Sequence, residues 1–241
     1  MTLDEILASL FADGHTVENH QGVISGAGVL RGNVRADVIG IADRTPLGID
    51  EAIRLSGAVL EAMQRGGDGP ILVLVDSDSQ RMSKRDELLG LNEYLAHLAK
   101  CLIHADMSGR PTVGLLYGHT AAGAFIATAL ATRTLVALPG AKPEVMDLPS
   151  MAKVTKLSID ALRQKARSTP VFAPGLDNLA QTGAVLLTWN EKTSLADQLQ
   201  DLLNHTRDRG DRRDRLGQER KGRPKAANVA ERVYDLAYQS R

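Results

Sequence analysis

Two turns hold most of the residues in this chain that could do chemistry. The first lies in VDSDSQRMSKRDELLG, Val75 to Gly90. A β-forming run ends there at Asp76 and Asp78, passes Ser79 and Gln80, and gives way to a helical sequence that carries Glu87 in its first turn. The carboxyl end of a parallel strand and the amino end of the next helix expose backbone N–H groups that have no intrahelical partner, and such groups suit a developing anion. No histidine or third carboxylate stands at a ligand spacing from Asp76 and Asp78, so these acids read as turn caps rather than as a metal site. Glu87 has two readings, a charge that favours the positive end of a helix or a group at the rim of an active site.

The second turn lies in VGLLYGHTAAGAFIATAL, Val113 to Leu130. Small residues at Gly118, Ala121, Ala122, Gly123 and Ala124 let a helix start close to whatever occupies a cleft, with the amides of Ala122, Gly123 and Ala124 directed outward. The same composition also serves close packing alone. His119 sits in this turn and could act as acid, base or hydrogen-bond donor, or be structural. Elsewhere Cys101, on a leucine-rich helix, reads as an inert thiol. His15, His20, His97, His104 and His205 form no metal spacing, and no metal site is expected.

Composition narrows the function classes. Twenty-nine basic and 29 acidic residues cancel over 241 residues, and aromatics are 3%, so neither a global field nor a set of stacking rings points to nucleic acid. One cysteine makes no internal disulfide, and the acidic start MTLDEILASLFADG does not resemble a signal peptide, which predicts a cytoplasmic address. No apolar run approaches the ~18 residues of a membrane helix. No glycine-rich phosphate loop predicts a nucleotide, so no cofactor is expected on this chain alone.

The elements around the two turns follow from periodicity. Residues 1–22 read as an N-terminal docking segment, with Leu3, Ile6, Leu7 and Leu10 on one helical face. Val29-Leu30 and Val34 to Ile41 read as a hairpin closed by Arg31-Gly32-Asn33. A helix is predicted from Ile49-Asp50 to Gly66-Gly67, with Ile53, Val59, Leu60 and Met63 inward. Two strand-turn-helix units follow. One has a strand Ile71 to Val75, a turn Asp76 to Ser83 and a helix Lys84 to His104; the other has a strand Thr112 to Leu116, a turn Tyr117 to Ala121 and a helix Ala122 to Ala131. A strand Leu135 to Leu138 comes next, and alternation of this kind predicts an α/β fold with largely parallel pairing. Short helices around Pro149 to Lys156 and Ile159 to Ala166, a loop Ser168 to Gly175, a strand Ala184 to Thr188 and a helix Leu195 to Leu203 complete a main domain of residues 23–204. Residues 205–225 hold nine Lys/Arg, four Asp/Glu and three glycines, and read as a basic flexible linker. That linker is either a solvated tether or a dock for an acidic partner. Residues 226–241 regain Val229, Val233, Leu236 and Ala237 and read as a C-terminal docking helix.

The run VDSDSQRMSKRDELLGLNEYLAHLAKCL, then GLLYGHTAAGAFIA, then LPGAKPEVMDLPSMAKVTKLSIDAL and STPVFAPGLDN resembles the gamma subunit of biotin-independent malonate decarboxylase, a relative of acetyl-CoA carboxylase carboxyltransferases. The likeness covers about Val34 to Trp189. It implies a crotonase-like (ClpP/crotonase) spiral of ββα units with helical additions and a C-terminal helix, in which paired backbone amides form oxyanion holes. It further implies decarboxylation of malonyl-S-acyl carrier protein to acetyl-S-acyl carrier protein and CO2, alongside a homologous beta subunit, the acyl carrier protein and the acyl-transferase (alpha) subunit, with no nucleic acid or membrane as partner. The substrate would ride on the carrier's phosphopantetheine-like prosthetic group. By the same resemblance the amides of Ala122, Gly123 and Ala124 are catalytic together with His119, and Ser79, Gln80, Tyr117, Gly118 and Glu87 bind substrate.

This chain departs from the family pattern at two places. Family members often have Gly at Ser79 and Ser-Gly-Gly at Ala122-Gly123-Ala124. Backbone amides survive such changes, whereas the added side chains at Ser79 and Ala124 would narrow the approach or resist φ > 0. Two other functions stay open, a stand-alone crotonase-like acyl-CoA enzyme and a non-catalytic scaffold subunit of the same complex.

Overall fold

A computed structural model describes residues 1–168, 174–205 and 210–239. Its contacts divide into two units, residues 1–145 with 187–208, and residues 146–186 with 209–241. In the first unit α1 (Leu3–Leu10) buries Ile6, Leu7 and Leu10, and opens on a capping box in which Thr2 and Glu5 satisfy each other's amides. β1 (Glu18–His20), β2 (Val23–Leu30) and β3 (Val34–Leu47) run antiparallel. The expected turn joins β2 to β3, with Leu30 opposite Val34 and with Gly32 and Asn33 at φ 78° and 61°.

The helix α2 (Ile49–Arg65) starts where Glu51 accepts the Gly48 amide at 2.9 Å, and ends at Gly66. It buries Ile49, Ala52, Leu55, Val59 and Ala62; Val59 is inward as expected, whereas Ile53 and Leu60, expected inward, are 49% and 38% exposed. The buried positions recur at the three- and four-residue spacing of one helical face, and Ile53 and Leu60 fall a step outside it.

β4 runs from Ile71 to Gln80, longer than expected, because pairing with β3 resumes past an irregularity, at Thr45↔Ser77 and Leu47↔Gln80. The expected helix Lys84 to His104 is two helices, α3 (Lys84–Leu88) and α4 (Leu91–Met107), separated at Gly90, which takes φ 83°. On α4, Leu91, Leu95, Leu98 and Leu102 are buried, each contributing about 1.5–3 kcal/mol by leaving water. Leu88 lies beyond the break and is exposed.

β5 (Thr112–Leu116) leads through β6 (His119–Ala121), in a segment expected to be only turn, to α5 (Ala122–Ala127) and a 3-10 turn at Ala129–Ala131. β7 (Thr134–Ala137) and β8 (Lys142–Glu144) follow. In the second unit, α6 (Leu148–Thr155) and α7 (Ile159–Ser168) match the two short helices expected there, and α8 (Leu176–Gln181) is a further helix beyond those predicted. The central part of the expected loop Ser168 to Gly175 lies outside the described residues. β9 (Leu187–Thr188) returns to the first unit, and α9 (Leu195–His205) gives α1 the partner its sequence left open: Ser9 Oγ accepts the Leu195 amide at 3.0 Å.

The main sheet is mixed, in the order β1-β2-β3-β4-β5-β7-β9, parallel from β3 onward; β6 and β8 make a separate parallel pair. The apolar residues of β4 and all of β5 are buried, as strands covered on both faces require. At the amino edge of the parallel strands the buried Asp37 carboxylate accepts from Arg110 at 2.8 Å, Arg65 at 3.0 Å and Arg35 at 3.1 Å. Arg110 also donates to the carbonyls of Ala62 and Gly69, which locks the end of α2 to the sheet.

In the second unit α10 (Arg213–Glu219) falls within the stretch expected to be a flexible linker, of which 206–209 lie outside the described residues. Two of its glycines serve close approach rather than flexibility. A Cβ at Gly217 would stand 2.5 Å from the Thr182 carbonyl oxygen, and one at Gly222 would stand 2.2 Å from that of Gln181. Arg220 donates to the carbonyls of Ala180, Val185 and Leu186 at 2.7–2.8 Å. The terminal helix α11 (Ala226–Gln239) buries none of its residues, and Val229, Val233 and Leu236 are exposed. No helix among the described residues is long and apolar enough to cross a membrane.

Candidate functional site

The carboxyl ends of β4 and β5, the β6–β8 pair and the start of α5 bring the two chemical turns together. Ser77 and Thr120 share a buried hydroxyl hydrogen bond of 2.8 Å, which ties β4 to β6. Asp76 Oδ1 accepts the His119 amide at 2.9 Å. A Cβ at Gly118 would lie 2.1 Å from that same oxygen, so glycine there is a requirement of close approach.

The His119 ring is mostly buried, with its side chain 18% exposed. Its Nδ1 stands 3.0 Å from the Ser77 carbonyl oxygen, which can only accept, so Nδ1 carries the proton of that bond. Nε2 faces Glu144 Oε1 at 3.6 Å. Glu144 sits across the small sheet, opposite Ala121, while His119 is opposite Lys142.

The amides of α5 are arranged differently from the expectation. Gly123 donates its N–H to Gln80 Oε1 at 2.8 Å, so a side chain of the first turn occupies this donor. Gln80 therefore meets the helix start directly. Ala122 takes φ +48°, a left-handed conformation that costs a non-glycine residue about 1–2 kcal/mol. Neither Ser79 nor Ala124 has positive φ; Ala124 is fully buried, so its methyl group fills the core and does not narrow the approach. The Ser79 hydroxyl donates to the Gln80 carbonyl at 3.2 Å.

Tyr117 lies at the end of β5 with its hydroxyl oxygen buried and unpartnered among the described residues. Burial first, and then the charges of Asp76 and Asp43, hold its phenol well above the usual range, so it stays neutral. Glu87 is exposed on α3, and its neighbour Asp86 is the buried acid. Ser83 Oγ caps the Asp86 amide at 3.1 Å, while Arg85 and Arg81 stand 3.1 and 3.8 Å from the Asp86 carboxylate. The Ser-x-x-Asp spacing was a readable cap signal for α3; Glu144, far away in sequence, carried none. Among the described residues no group of three or more His, Cys, Asp or Glu could hold a metal ion.

Residues 42–237 match the family model of the malonate decarboxylase gamma subunit. The chain belongs to that family. A curated relative, the malonyl-S-ACP:biotin-protein carboxyltransferase MADD of Malonomonas rubra, is 27% identical over 167 residues. That match takes in 63% of this chain and 57% of the relative. Among solved structures, a Pseudomonas malonate decarboxylase hetero-tetramer in complex with coenzyme A has a chain 25% identical to this one, with TM-score 0.75 and 98% of each chain covered. The Pseudomonas MdcD-MdcE hetero-dimer gives TM-score 0.75 at 22% identity, covering 97% of this chain and 98% of that one. The transcarboxylase 12S core gives TM-score 0.68 at 15% identity, over 83% of this chain and 39% of that one; these last two show the fold alone. The α/β fold is thus that of malonate decarboxylase and the crotonase-like carboxyltransferases. The family match spans both chemical turns, from Asp76 to Ala124, as well as Glu144.

Proposed function

We propose that this chain is the gamma subunit of a malonate decarboxylase, acting beside a homologous beta subunit on malonyl-S-acyl carrier protein. The observation that carries the reading is the family match over residues 42–237, which takes in every site residue named above. Decarboxylation breaks the bond between the α-carbon and the carboxylate. The electron pair passes into the thioester as an enolate, and the carbon then takes a proton to give the acetyl thioester. N–H donors aimed at the enolate oxygen lower that barrier, and shielding the carboxylate from water favours neutral CO2. Of the Ala122 to Ala124 amides, that of Gly123, once Gln80 is displaced, would face the leaving carboxylate beside Ala122, and the beta subunit would hold the thioester. The thioester would arrive on the carrier's phosphopantetheine-like arm, with the acyl-transferase subunit loading it and no cofactor bound by this chain alone.

CO2 would leave without passing to a biotin protein. Release of CO2 from malonyl-S-acyl carrier protein by this chain alone, with the beta subunit, and with beta subunit plus biotin protein tests the reading. Release from the pair without biotin supports it. Dependence on biotin protein assigns a carboxyltransferase instead, and activity of the lone chain assigns a stand-alone crotonase-like enzyme.

One observation favours a second reading, a scaffold subunit: Gln80 already occupies the Gly123 donor. Assembly with the beta subunit followed by full CO2 release from a Gly123→Pro complex would assign that role.

A further inference from the structure

Decarboxylation leaves a carbanion-like carbon that must be protonated, and the side chain best built for this in the first unit is His119. Three groups from two strands hold its ring and backbone. The Ser77 carbonyl on β4 accepts from Nδ1 at 3.0 Å, Asp76 on β4 accepts the His119 amide at 2.9 Å, and Glu144 on β8 faces Nε2 at 3.6 Å. With Nδ1 committed to a carbonyl, Nε2 is the nitrogen left to exchange a proton, and the Glu144 carboxylate beside it fixes the orientation of the ring. Two residues separate His119 from Ala122, where the backbone bends into its left-handed conformation at the start of α5. The surrounding charges are Glu144 and Asp76, with Lys142 opposite His119 in the β6–β8 register.

We propose that His119 returns the proton to the enolate carbon and that Glu144 is its positioning residue, an assignment that rests on the decarboxylase reading above. In the step the Nε2–H bond breaks, the enolate electron pair forms the new C–H bond, and the thioester carbonyl is restored. Imidazole is left neutral and takes its next proton from solvent water. The same pair run backwards removes a methyl proton from the acetyl thioester, which allows protonation to be measured apart from loss of CO2.

The test uses the assembled complex with the beta subunit and acetyl-S-acyl carrier protein in D2O, following deuterium entry into the acetyl methyl group. His119→Ala is expected to slow exchange at least ~100-fold, within the usual range of general acid–base catalysis, and added imidazole to restore part of it. Glu144→Gln is expected to slow exchange about tenfold while the KM for malonyl-S-acyl carrier protein stays unchanged. His119→Gln, which keeps a donor for the Ser77 carbonyl, replaces the Ala variant if the latter fails to assemble, and is expected to lose exchange equally. Exchange within about twofold of the unaltered complex in an assembled His119 variant overturns the assignment, as does a loss that imidazole does not restore in assembled His119→Ala. An unaltered complex that neither releases CO2 nor exchanges overturns the decarboxylase reading itself.

Discussion

Gln80 Oε1 accepts the Gly123 amide at 2.8 Å, so the last residue of one parallel strand occupies the donor at the start of the helix that follows the next. A Cβ at Gly123 would stand 3.1 Å from that oxygen and 3.1 Å from Leu95, so the contact depends on glycine as well as on glutamine. If a substrate is to use this amide it must displace the side chain.

Gln80→Ala therefore removes an internal competitor. In the assembled complex the KM for malonyl-S-acyl carrier protein is expected to fall by up to about tenfold, the equivalent of one hydrogen bond near 1.4 kcal/mol. Steady-state CO2 release at varied substrate reads this directly, and a raised KM would make Gln80 itself a substrate contact.

Ala122 holds φ +48° without being glycine. Ala122→Gly relieves that conformation at the cost of a freer unfolded chain, and is expected to leave the fold more stable by up to about 1 kcal/mol. Denaturant unfolding at constant m-value checks it. A loss of stability would show that the alanine methyl group contributes more by packing than the conformation costs.

Asp37 ties the stability of the first unit to pH. Burial alone would raise its pKa, but hydrogen bonds from Arg110, Arg65 and Arg35, with the added charge of Arg35, hold it below the ordinary carboxylate value. A folded-state pKa below the unfolded value of about 3.9 contributes stability that is complete above that pH and disappears as pH falls through the folded value. Stability measured from pH 6 down to pH 2 is expected to decline below about pH 4. Asp37→Ala leaves Arg110 buried without its partner, is expected to cost about 3–5 kcal/mol, and should flatten that decline.

Arg220 tests the second unit. Its guanidinium satisfies three carbonyls, and Arg220→Ala leaves these to water or unpaired, at an expected cost of about 1.5–3 kcal/mol. Limited proteolysis should then cut within 176–225 sooner. Unchanged cleavage would show that the three bonds contribute little to holding that segment.

Elements whose information is local were legible in the order of residues alone. The amphipathic α1, the hairpin at Gly32-Asn33, the leucine ladder of α4 and the strand-turn-helix alternation each follow from side-chain period or a turn residue within a few positions. The family resemblance was also legible, because it rests on unbroken runs around Val75 to Leu102 and Gly114 to Ala127. Tertiary structure decided what depends on neighbours distant in the chain. Which face of α2 is inward was set by what it packs on: Ala52, Leu55, Val59 and Ala62 are buried, while Ile53 and Leu60, equally apolar, are left exposed. A glycine- and charge-rich stretch forms α10 because Gly217 and Gly222 meet backbone from 181–182 and Arg220 finds carbonyls there. In the site, the turn residues were readable one by one. Their pairing was not: Gln80 meets Gly123 across 43 positions, and Glu144 reaches His119 only through the register of β6 with β8. Hydrogen bonds and charge pairs of that kind are fixed by strand order and close approach in three dimensions, and neither leaves a period in the sequence.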